Sequence, residues 1–249
     1  MMKEVRNNKK YEIIKDDFIK LHNGKKLYRI KSLKNFSNVK VGDIGGFVQS
    51  EDNLSHDGDC WIYNDACVFE NAEVYDDAKV FGNSQIYNDA QIFNYSRVYD
   101  NVRIFGHANV FINARVYDDA QIFGLAQVYG NAILFGKSKV FDNAIVCGNT
   151  WLYSNAQAFN NALINNNASI GTNAFITSSD DYITISNIGS NHDVITFYKC
   201  NNGVINVTYG CYNYTLDKFV DKVKQIHGDN KYTKEYLTVV ELAKIHFNM

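Results

Sequence analysis

The chain has 249 residues, of which 46% are hydrophobic and 21% are charged, and its formal net charge is −2. This composition excludes intrinsic disorder, and the length suffices for one large domain or two small ones with a buried core. No run of about 18 apolar residues exists, and Met1–Lys10 lacks the apolar run of a signal peptide. The five cysteines form no C-x-x-C pair, so we expect a cytoplasmic protein with reduced thiols.

The N-terminal segment is strongly basic, with twelve Lys and Arg against four Asp and Glu in residues 1–40. Phe18–Ile30 predicts two strands joined by an Asn23-Gly24 turn, and such a hairpin can cover the open end of a solenoid. The excess charge is alternatively a contact for nucleic acid or for an acidic partner. Nucleic acid is the less favoured interpretation, because the lysines are spread and few aromatic residues lie among them. The candidate contacts are Lys20, Lys25, Lys26, Arg29 and Lys31.

A repeat of six residues runs unbroken from Ile62 to Ile176. Aliphatic side chains occupy one position of every hexad, and a small residue, most often Ala, follows four residues later. In the segment small-x-aliphatic, alternation places the small and aliphatic residues on one face, which must be the inside. The residue before the small one is usually Asn or Asp, which tolerate left-handed backbone angles. Each hexad therefore predicts a short strand plus a corner, and the absence of proline suits strands bonded along both edges. The aliphatic positions are Ile62, Val68, Val74, Val80, Ile86, Ile92, Val98, Ile104, Val110, Val116, Ile122, Val128, Leu134, Val140, Val146, Leu152, Ala158, Ile164, Ile170 and Ile176.

This pattern resembles the hexapeptide repeat of the left-handed parallel β-helix, in which three hexads form one triangular coil. The resemblance implies a single-stranded left-handed parallel β-helix. Together with the N-terminal hairpin and the strands and helices read after the repeat, it gives the expected fold class: mainly β, with an N-terminal β cap and a small α/β C-terminal module. An alternation of Tyr and Phe after the aliphatic position has a period of twelve residues, which leaves a flatter coil of two hexads as the alternative. We favour three hexads, because the alternation slips at Phe111 while the six-residue register continues.

The segment that leads into the repeat contains Gly45-Gly46-Phe47, Asn53-Leu54-Ser55 and Gly58-Asp59-Cys60-Trp61-Ile62-Tyr63. Across residues 28–66 it resembles the entry segment of a group of bacterial and phage hexapeptide-repeat proteins, with a Gly-Gly-aromatic turn. The resemblance implies the fold superfamily of the hexapeptide acyltransferases, and it supplies no activity.

The hexads stop after Thr177, and the remaining sequence predicts three strands followed by two helices. The strands are Tyr182–Ser186, Val194–Lys199 and Val204–Tyr209. Thr215 is the expected N-cap of a helix over Leu216–Ile226 that ends before Gly228, and Thr233 is expected to open the second helix. We therefore expect three parts: a cap and entry segment at 1–60, the β-helix at 61–177 and the C-terminal module at 178–249.

Several short segments of the last part, among them Ile188-Gly189-Ser190 and Gly210-Cys211-Tyr212, resemble a C-terminal module that recurs on otherwise different proteins of Gram-positive bacteria and their phages. A module that moves between proteins is usually an adaptor or an assembly unit.

Two enzyme hypotheses follow from the histidines and cysteines. Enzymes of the resembling superfamily commonly transfer an acyl group from acyl-coenzyme A, and for that reaction His107 is the base that the repeat offers. No insertion interrupts the coils near His107, so a solvated corner histidine is the favoured interpretation. Cys211 with His192, and with His227 and His246 in the same module, is a weaker candidate for a thiol nucleophile or a metal site. We expect no cofactor and no metal.

Aromatic side chains are the most distinctive outward feature, since they fill fourteen consecutive positions from Tyr63 to Phe141. Stacked rings support adjacent coils, whereas exposed aromatic surface marks a contact face. The candidate binding residues are Tyr63, Phe69, Tyr75, Phe81, Tyr87, Phe93, Tyr99 and Phe105. Near the end of the repeat the polar outward position becomes apolar, and we expect contacts there with the C-terminal module or a second subunit. These residues are Ile133, Ile145, Trp151, Leu163 and Phe175.

The sequence therefore predicts a non-enzymatic protein that works by protein–protein contact and forms a homo-oligomer. The resemblance to phage-carried proteins suggests an inhibitor that occludes a host defence complex. The alternatives are a hexapeptide acyltransferase and a structural assembly protein.

Overall fold

The structure, a computed structural model, describes residues 9–249. The fold is mainly β: a parallel β-solenoid of about 7 turns, an antiparallel cap before it and a small α/β module after it. The predicted fold class is therefore confirmed. The chain divides into two compact units, Met1–Asp118 and Asp119–Met249. The expectation about export signals in Met1–Lys10 falls mostly on residues 1–8, which lie outside the described residues.

The first unit begins with β1 (Tyr11–Lys20), β2 (Lys26–Ser32) and β3 (Ile44–Val48). β1 and β2 pair antiparallel, and Gly24 in the predicted turn has a φ of 85°. β2 pairs antiparallel with β3, and β3 pairs parallel with the hexad strand at Cys67. The predicted hairpin is confirmed, and it continues one sheet of the solenoid.

The turn that the resemblance implies at Gly45-Gly46-Phe47 is wrong, because the segment lies within β3. Both glycines are buried. A Cβ added at Gly46 would lie 2.4 Å from the Ala66 carbonyl oxygen and 2.5 Å from Cγ2 of Ile62. The glycines are therefore required by close approach between strands.

The hexads form twenty strands of two residues, β4 to β23. They are Trp61–Ile62, Cys67–Val68, Glu73–Val74, Lys79–Val80, Gln85–Ile86, Gln91–Ile92, Arg97–Val98, Arg103–Ile104, Asn109–Val110, Arg115–Val116, Gln121–Ile122, Gln127–Val128, Ile133–Leu134, Lys139–Val140, Ile145–Val146, Trp151–Leu152, Gln157–Ala158, Leu163–Ile164, Ser169–Ile170 and Phe175–Ile176.

Within each unit these strands form three parallel sheets. In the first unit the orders are β3-β5-β8-β11, β4-β7-β10-β13 and β6-β9-β12, and in the second they are β14-β17-β20-β23, β16-β19-β22 and β15-β18-β21. Val80 lies opposite Val98, and Val98 lies opposite Val116, so one coil contains three hexads. The three-sided coil is confirmed, and the flatter alternative with two hexads is wrong.

The interior consists of the predicted aliphatic and small residues. All twenty aliphatic positions are buried, as are the small residues four positions later. Removing such a side chain from water contributes about 1.5–3 kcal/mol for a Val, Leu or Ile. This ladder of apolar side chains holds the coils in register.

The corners differ from the expectation in one respect. The left-handed residue usually lies two positions after the aliphatic one, as at Asn64 (φ 55°) and Asp76 (φ 55°), rather than directly before the small residue. The Asn and Asp before the small residue instead bond to the next coil, as when Asn71 Nδ2 donates to Asp89 Oδ1 at 2.9 Å. Polar ladders therefore follow the outside of the corners.

The second unit ends in an antiparallel sheet of four strands and two helices. The strands are β24 (Tyr182–Ile188), β25 (Asp193–Lys199), β26 (Ile205–Tyr209) and β27 (Tyr212–Thr215), and the helices are α1 (Leu216–His227) and α2 (Lys231–His246). The three predicted strands and two predicted helices are present, and β27 was not predicted. α2 begins before Thr233, because the Asn230 side chain accepts hydrogen bonds from the N–H groups of Tyr232 and Thr233.

No helix within residues 9–249 has the length and apolar character that a membrane crossing requires.

Candidate functional site

The predicted aromatic residues form three ladders in the first unit, one along each corner of the coil. Consecutive rings in a ladder are 18 positions apart and stack nearly parallel, with centroids separated by 4.3 Å for Tyr63 and Phe81 and by 5.1 Å for Phe69 and Tyr87. Most of these rings are half-buried. Stacking of this kind adds about 0.5–1.5 kcal/mol per pair beyond burial, so the ladders support neighbouring coils. The three ladders are Tyr63-Phe81-Tyr99, Phe69-Tyr87-Phe105 and Tyr75-Phe93-Phe111.

Two apolar side chains project from the corner that follows the Tyr75-Phe93-Phe111 ladder. Tyr95 occupies a position that is Asn or Asp in most coils, and its side chain is 65% exposed. Ile112 is 39% exposed and has a φ of 63°, at a corner position held by Gly58, Asp76 and Asn94 in earlier coils. The Tyr95 N–H donates to the Ile112 carbonyl at 2.8 Å, so the two residues are neighbours in adjacent coils. We call Tyr95 and Ile112 the exposed pair.

The backbone of Ile112 is strained. A β-branched residue with positive φ is a genuine outlier, because its branched Cβ crowds the backbone. The left-handed conformation costs about 1–2 kcal/mol for a residue with a Cβ. Strain held at an exposed position supports a hypothesis of function.

A row of cations lies on the face that follows this corner. Lys79, Arg97 and Arg115 occupy the outward positions of β7, β10 and β13, and the register places Lys79 beside Arg97 and Arg97 beside Arg115. Tyr95 lies on the turn two residues before Arg97, and both residues are exposed. We call these three residues the cationic row.

The members of the cationic row differ in their partners. The Lys79 ammonium donates to the carbonyl of Asp59, and burial lowers its pKa. Arg97 and Arg115 are exposed, and among the described residues neither lies within 4.0 Å of a carboxylate. Two guanidinium groups are therefore free to meet an external anion.

The basic N-terminal candidates are partly engaged inside the first unit. Lys25 pairs with Glu70 at 3.0 Å, and Arg29 pairs with Asp65 at 2.7 Å while it stacks on the Phe47 ring at 4.0 Å. Lys26 lies over the Phe18 ring at 3.9 Å. Lys20 is exposed and Lys31 is half-buried, both on the hairpin. The hairpin cations thus contribute to packing of the cap.

His107 lies at an exposed corner, with Nδ1 3.7 Å from Oδ2 of Asp89. A base for acyl transfer acts within a cleft beside its substrate. The clefts described below do not include His107. Its exposure and its 3.7 Å separation from Asp89 are those of a surface histidine near a carboxylate.

The C-terminal candidates are spread over separate turns. Cys211 is exposed between β26 and β27, whereas His192 lies between β24 and β25, in a cleft of about 380 Å³ with Lys231 and Glu235. The His246 ring lies 3.1 Å from the Asp180 carbonyl, and His227 packs against the Tyr236 ring. Within residues 9–249 no group of three His, Cys, Asp or Glu side chains could hold a metal ion.

A buried lysine and cysteine, which sequence reasoning did not single out, meet beneath the cap. Lys10 Nζ donates to Cys60 Sγ at 3.0 Å and to the carbonyls of Asp57 and Gly58 at 3.3 Å. Burial lowers the pKa of Lys10 and raises the pKa of Cys60. A thiol with a raised pKa is a poor nucleophile, so the pair serves to satisfy buried polar atoms.

The five apolar positions near the end of the repeat lie on the outside of the second unit. Ile133 and Ile145 are half-buried beside Trp151 and Leu163 of the next coil. Trp151 lines a cleft of about 230 Å³ with Asp193, Val194 and Gly210 of the C-terminal module. Leu163 lines another cleft with Tyr182, and Phe175 packs edge-on against Phe159. Leu163 also bonds directly to the module, because its carbonyl accepts a hydrogen bond from the Tyr182 hydroxyl at 3.1 Å. A further direct hydrogen bond runs from Asn213 Nδ2 of the module to the Tyr153 hydroxyl at 2.9 Å.

A further shallow cleft of about 600 Å³ follows one corner of the second unit and is lined by polar side chains, including Asp142, Asn143, Asn160 and Asn161. These residues bond along the coil axis, as when the Asn160 N–H donates to Asp142 Oδ2 at 3.2 Å. The cleft therefore follows from the corner ladders.

Sequence reasoning did not identify the exposed pair or the cationic row. The signal was present as Tyr in place of Asn or Asp at position 95, and as Ile in place of Asn, Asp or Gly at position 112. The cationic row was not apparent from the sequence, because cations 18 residues apart can be recognised as neighbours only once the coil is known to contain 18 residues.

Comparison with protein-family models found none that matches the chain, and a search of curated proteins likewise returned no match.

Proposed function

We propose that the protein acts by binding another protein, without catalysis of its own, and that the first unit carries the contact surface at the exposed pair. The observation that carries this proposal is Ile112, an exposed aliphatic residue in a left-handed conformation that Asn, Asp or Gly would adopt at lower cost. Burial of Ile112 and Tyr95 by a partner would offset that cost, because removal of apolar surface from water contributes about 25 cal/mol per Å².

The surroundings of the exposed pair support this function. Stacked rings and a buried aliphatic core make the coil beneath it rigid, so little conformational freedom is lost on binding. Tyr and Arg are enriched at the energetic centre of protein interfaces, and Tyr95 lies two residues from Arg97. The partner is either a foreign protein, as for an inhibitor of a host defence complex or an assembly protein, or a second copy of the chain.

Affinity capture from a bacterial host lysate tests the proposal, with the wild type compared against a Tyr95→Asn/Ile112→Asn double variant. We expect the wild type to retain a stoichiometric protein, or to form a dimer or trimer by light scattering, and the variant to lose it. A control variant, Tyr212→Asn, removes a tyrosine of similar exposure from the second unit and should retain the partner. Identical captured material from all three proteins would contradict the proposal.

A further inference from the structure

We infer that the partner presents a cluster of carboxylates to the cationic row, beside the apolar group that covers the exposed pair. This inference rests on the proposed function and deepens it by naming the chemistry of the partner. The carrying observation is the direct juxtaposition of Arg97 and Arg115, which are opposite one another in adjacent parallel strands.

The arrangement of the row is unfavourable in the isolated protein. Neighbouring strands lie about 4.8 Å apart, and like charges directly opposite each other destabilise a sheet. Elsewhere in the same unit, cations lie close to carboxylates, as Arg29 does to Asp65 and Lys25 does to Glu70. The fold can therefore place a carboxylate beside a cation, and it does not do so at Arg97 and Arg115. An external carboxylate cluster would relieve this repulsion.

The pattern of charges around the row favours a protein over a nucleic acid. Asp76 and Asp77 lie on the corner before the row, and Asp100 lies on the corner after it. Asp76 Oδ2 accepts hydrogen bonds from the N–H and side chain of Asn94, so this carboxylate is fixed at the edge of the face. A nucleic acid carries negative charge at every step of its backbone and would meet these carboxylates as well as the row. A protein can place a few carboxylates opposite the row alone.

The residue types also fit recognition of carboxylates. A guanidinium group offers a planar pair of N–H donors that matches a carboxylate, and such charge-assisted bonds are stronger than neutral ones. The exposed aliphatic side chain of Ile112 requires an apolar group in the partner. An acidic peptide segment with an interspersed leucine meets both requirements.

Fluorescence anisotropy with a short synthetic peptide of Glu and Leu tests the inference. The comparison peptide carries Gln in place of Glu, and a DNA duplex serves as the polyanion control. We compare the wild type with Arg97→Glu/Arg115→Glu, with the milder Arg97→Gln/Arg115→Gln, and with Arg103→Glu. Arg103 is the matched control, because it occupies the same position of the repeat in the sheet that contains β5, β8 and β11, and is exposed with no carboxylate within 4.0 Å among the described residues.

We expect the wild type to bind the Glu peptide and not the Gln peptide, with affinity that falls as salt rises toward about 0.15 M. Reversal of both arginines should weaken binding by about tenfold or more, whereas Arg103→Glu should change it less than about twofold. An equal loss in Arg103→Glu, absence of Glu-peptide binding, or tighter binding of the DNA duplex through the same arginines would overturn the inference. If the exposed-pair variant still loses its captured partner in that case, the proposed function stands and only the acidic chemistry fails.

Discussion

Ile112 has a side chain that disfavours the left-handed backbone conformation of its position in the repeat. In the coil before it, the equivalent Asn94 has a φ of 53° and bonds to Asp76 below, so its left-handed backbone is stabilised by the side chain. Ile112 keeps the backbone angle and the hydrogen bond from its N–H to Asn94 Oδ1 at 3.4 Å, but it offers no polar side chain in return.

Ile112→Asn should therefore stabilise the protein while it weakens partner binding. We expect the free energy of unfolding to rise by about 1 kcal/mol, from relief of the left-handed strain, and the melting temperature to rise by about 2–4 °C. Calorimetry checks this expectation. Asn94→Ile, the reverse change one coil below, should lower the melting temperature, and a loss of stability in Ile112→Asn would show that the isoleucine is not strained.

Asp181 makes the junction between the solenoid and the C-terminal module sensitive to acid. Burial alone would raise the pKa of Asp181, but hydrogen bonds from Lys199, Thr177 and Ser178 outweigh it and hold the pKa below its ordinary value of 3.8. A depressed pKa means that the stabilisation is complete above pH 3.8 and is lost as the pH falls through the lowered pKa in the folded state.

Asp181→Asn should remove this contribution and cost about 1–3 kcal/mol, because several donors lose a charged acceptor. Urea unfolding at neutral pH and below pH 3.8 measures the difference in the free energy of unfolding between wild type and variant. We expect that difference to be smaller in acid. Asp180→Asn is a matched control at the exposed neighbour. A difference independent of pH would mean that the carboxylate charge plays no part.

For single residues, the sequence was most informative about those that face inward. The positions from Ile62 to Ile176 could be assigned to the core, because a solenoid has one interior and any polar residue there would be costly. Outward residues obey weaker constraints, so the meaning of Tyr95 or Arg97 depends on neighbours 17 or 18 residues away. Sequence separation alone does not show these contacts.

Among the elements, β3 is a strand whose sequence is typical of a turn. Two consecutive glycines normally signal a turn. Here they allow β3 to approach the backbone near Ala66 and the side chain of Ile62. α2 begins before the predicted residue Thr233. Asn230 and Thr233 are both good caps, and only the observed hydrogen bonds to Asn230 decide between them. Short elements such as β27 lack enough residues to show a period.

Gly46→Ala should destabilise the first unit by about 1–3 kcal/mol, because the added methyl group meets backbone and core atoms that cannot move aside. Gly203→Ala is the control, since Gly203 has positive φ but nothing within 4 Å of an added Cβ, and its smaller cost arises from backbone conformation alone. Thermal unfolding compares the two variants. Equal losses would contradict the close-approach explanation, because Gly46 lacks the positive φ that makes an alanine costly at Gly203.

The C-terminal module shields the last coil of the second unit. The Tyr182 hydroxyl donates to the Leu163 carbonyl at 3.1 Å, the Ser169 N–H donates to Thr196 Oγ1 at 3.0 Å, and the Asn201 N–H donates to the Asn173 carbonyl at 3.0 Å. Without the module, these groups and the edges of the last strands would be open to pairing with another chain.

Truncation after Thr177 should therefore cause aggregation. Light scattering and size-exclusion chromatography of the truncated and full-length chains, expressed and purified alike, measure this outcome. A soluble, monomeric truncated protein would contradict the assigned shielding role. It would show that the last coil does not need the module to avoid pairing with another chain.

The chain contains two periods of different length. Because they differ, a duplication of the shorter one changes which outward residues share a face. The coil repeats every 18 residues, whereas Tyr and Phe alternate with a period of twelve, as from Tyr63 to Tyr75. A duplicated twelve-residue segment adds two thirds of a coil and leaves every inward residue facing inward. All outward residues after it move to a different side of the coil. Length variation in such a chain therefore reshuffles which side chains share a face, while the interior continues unaltered.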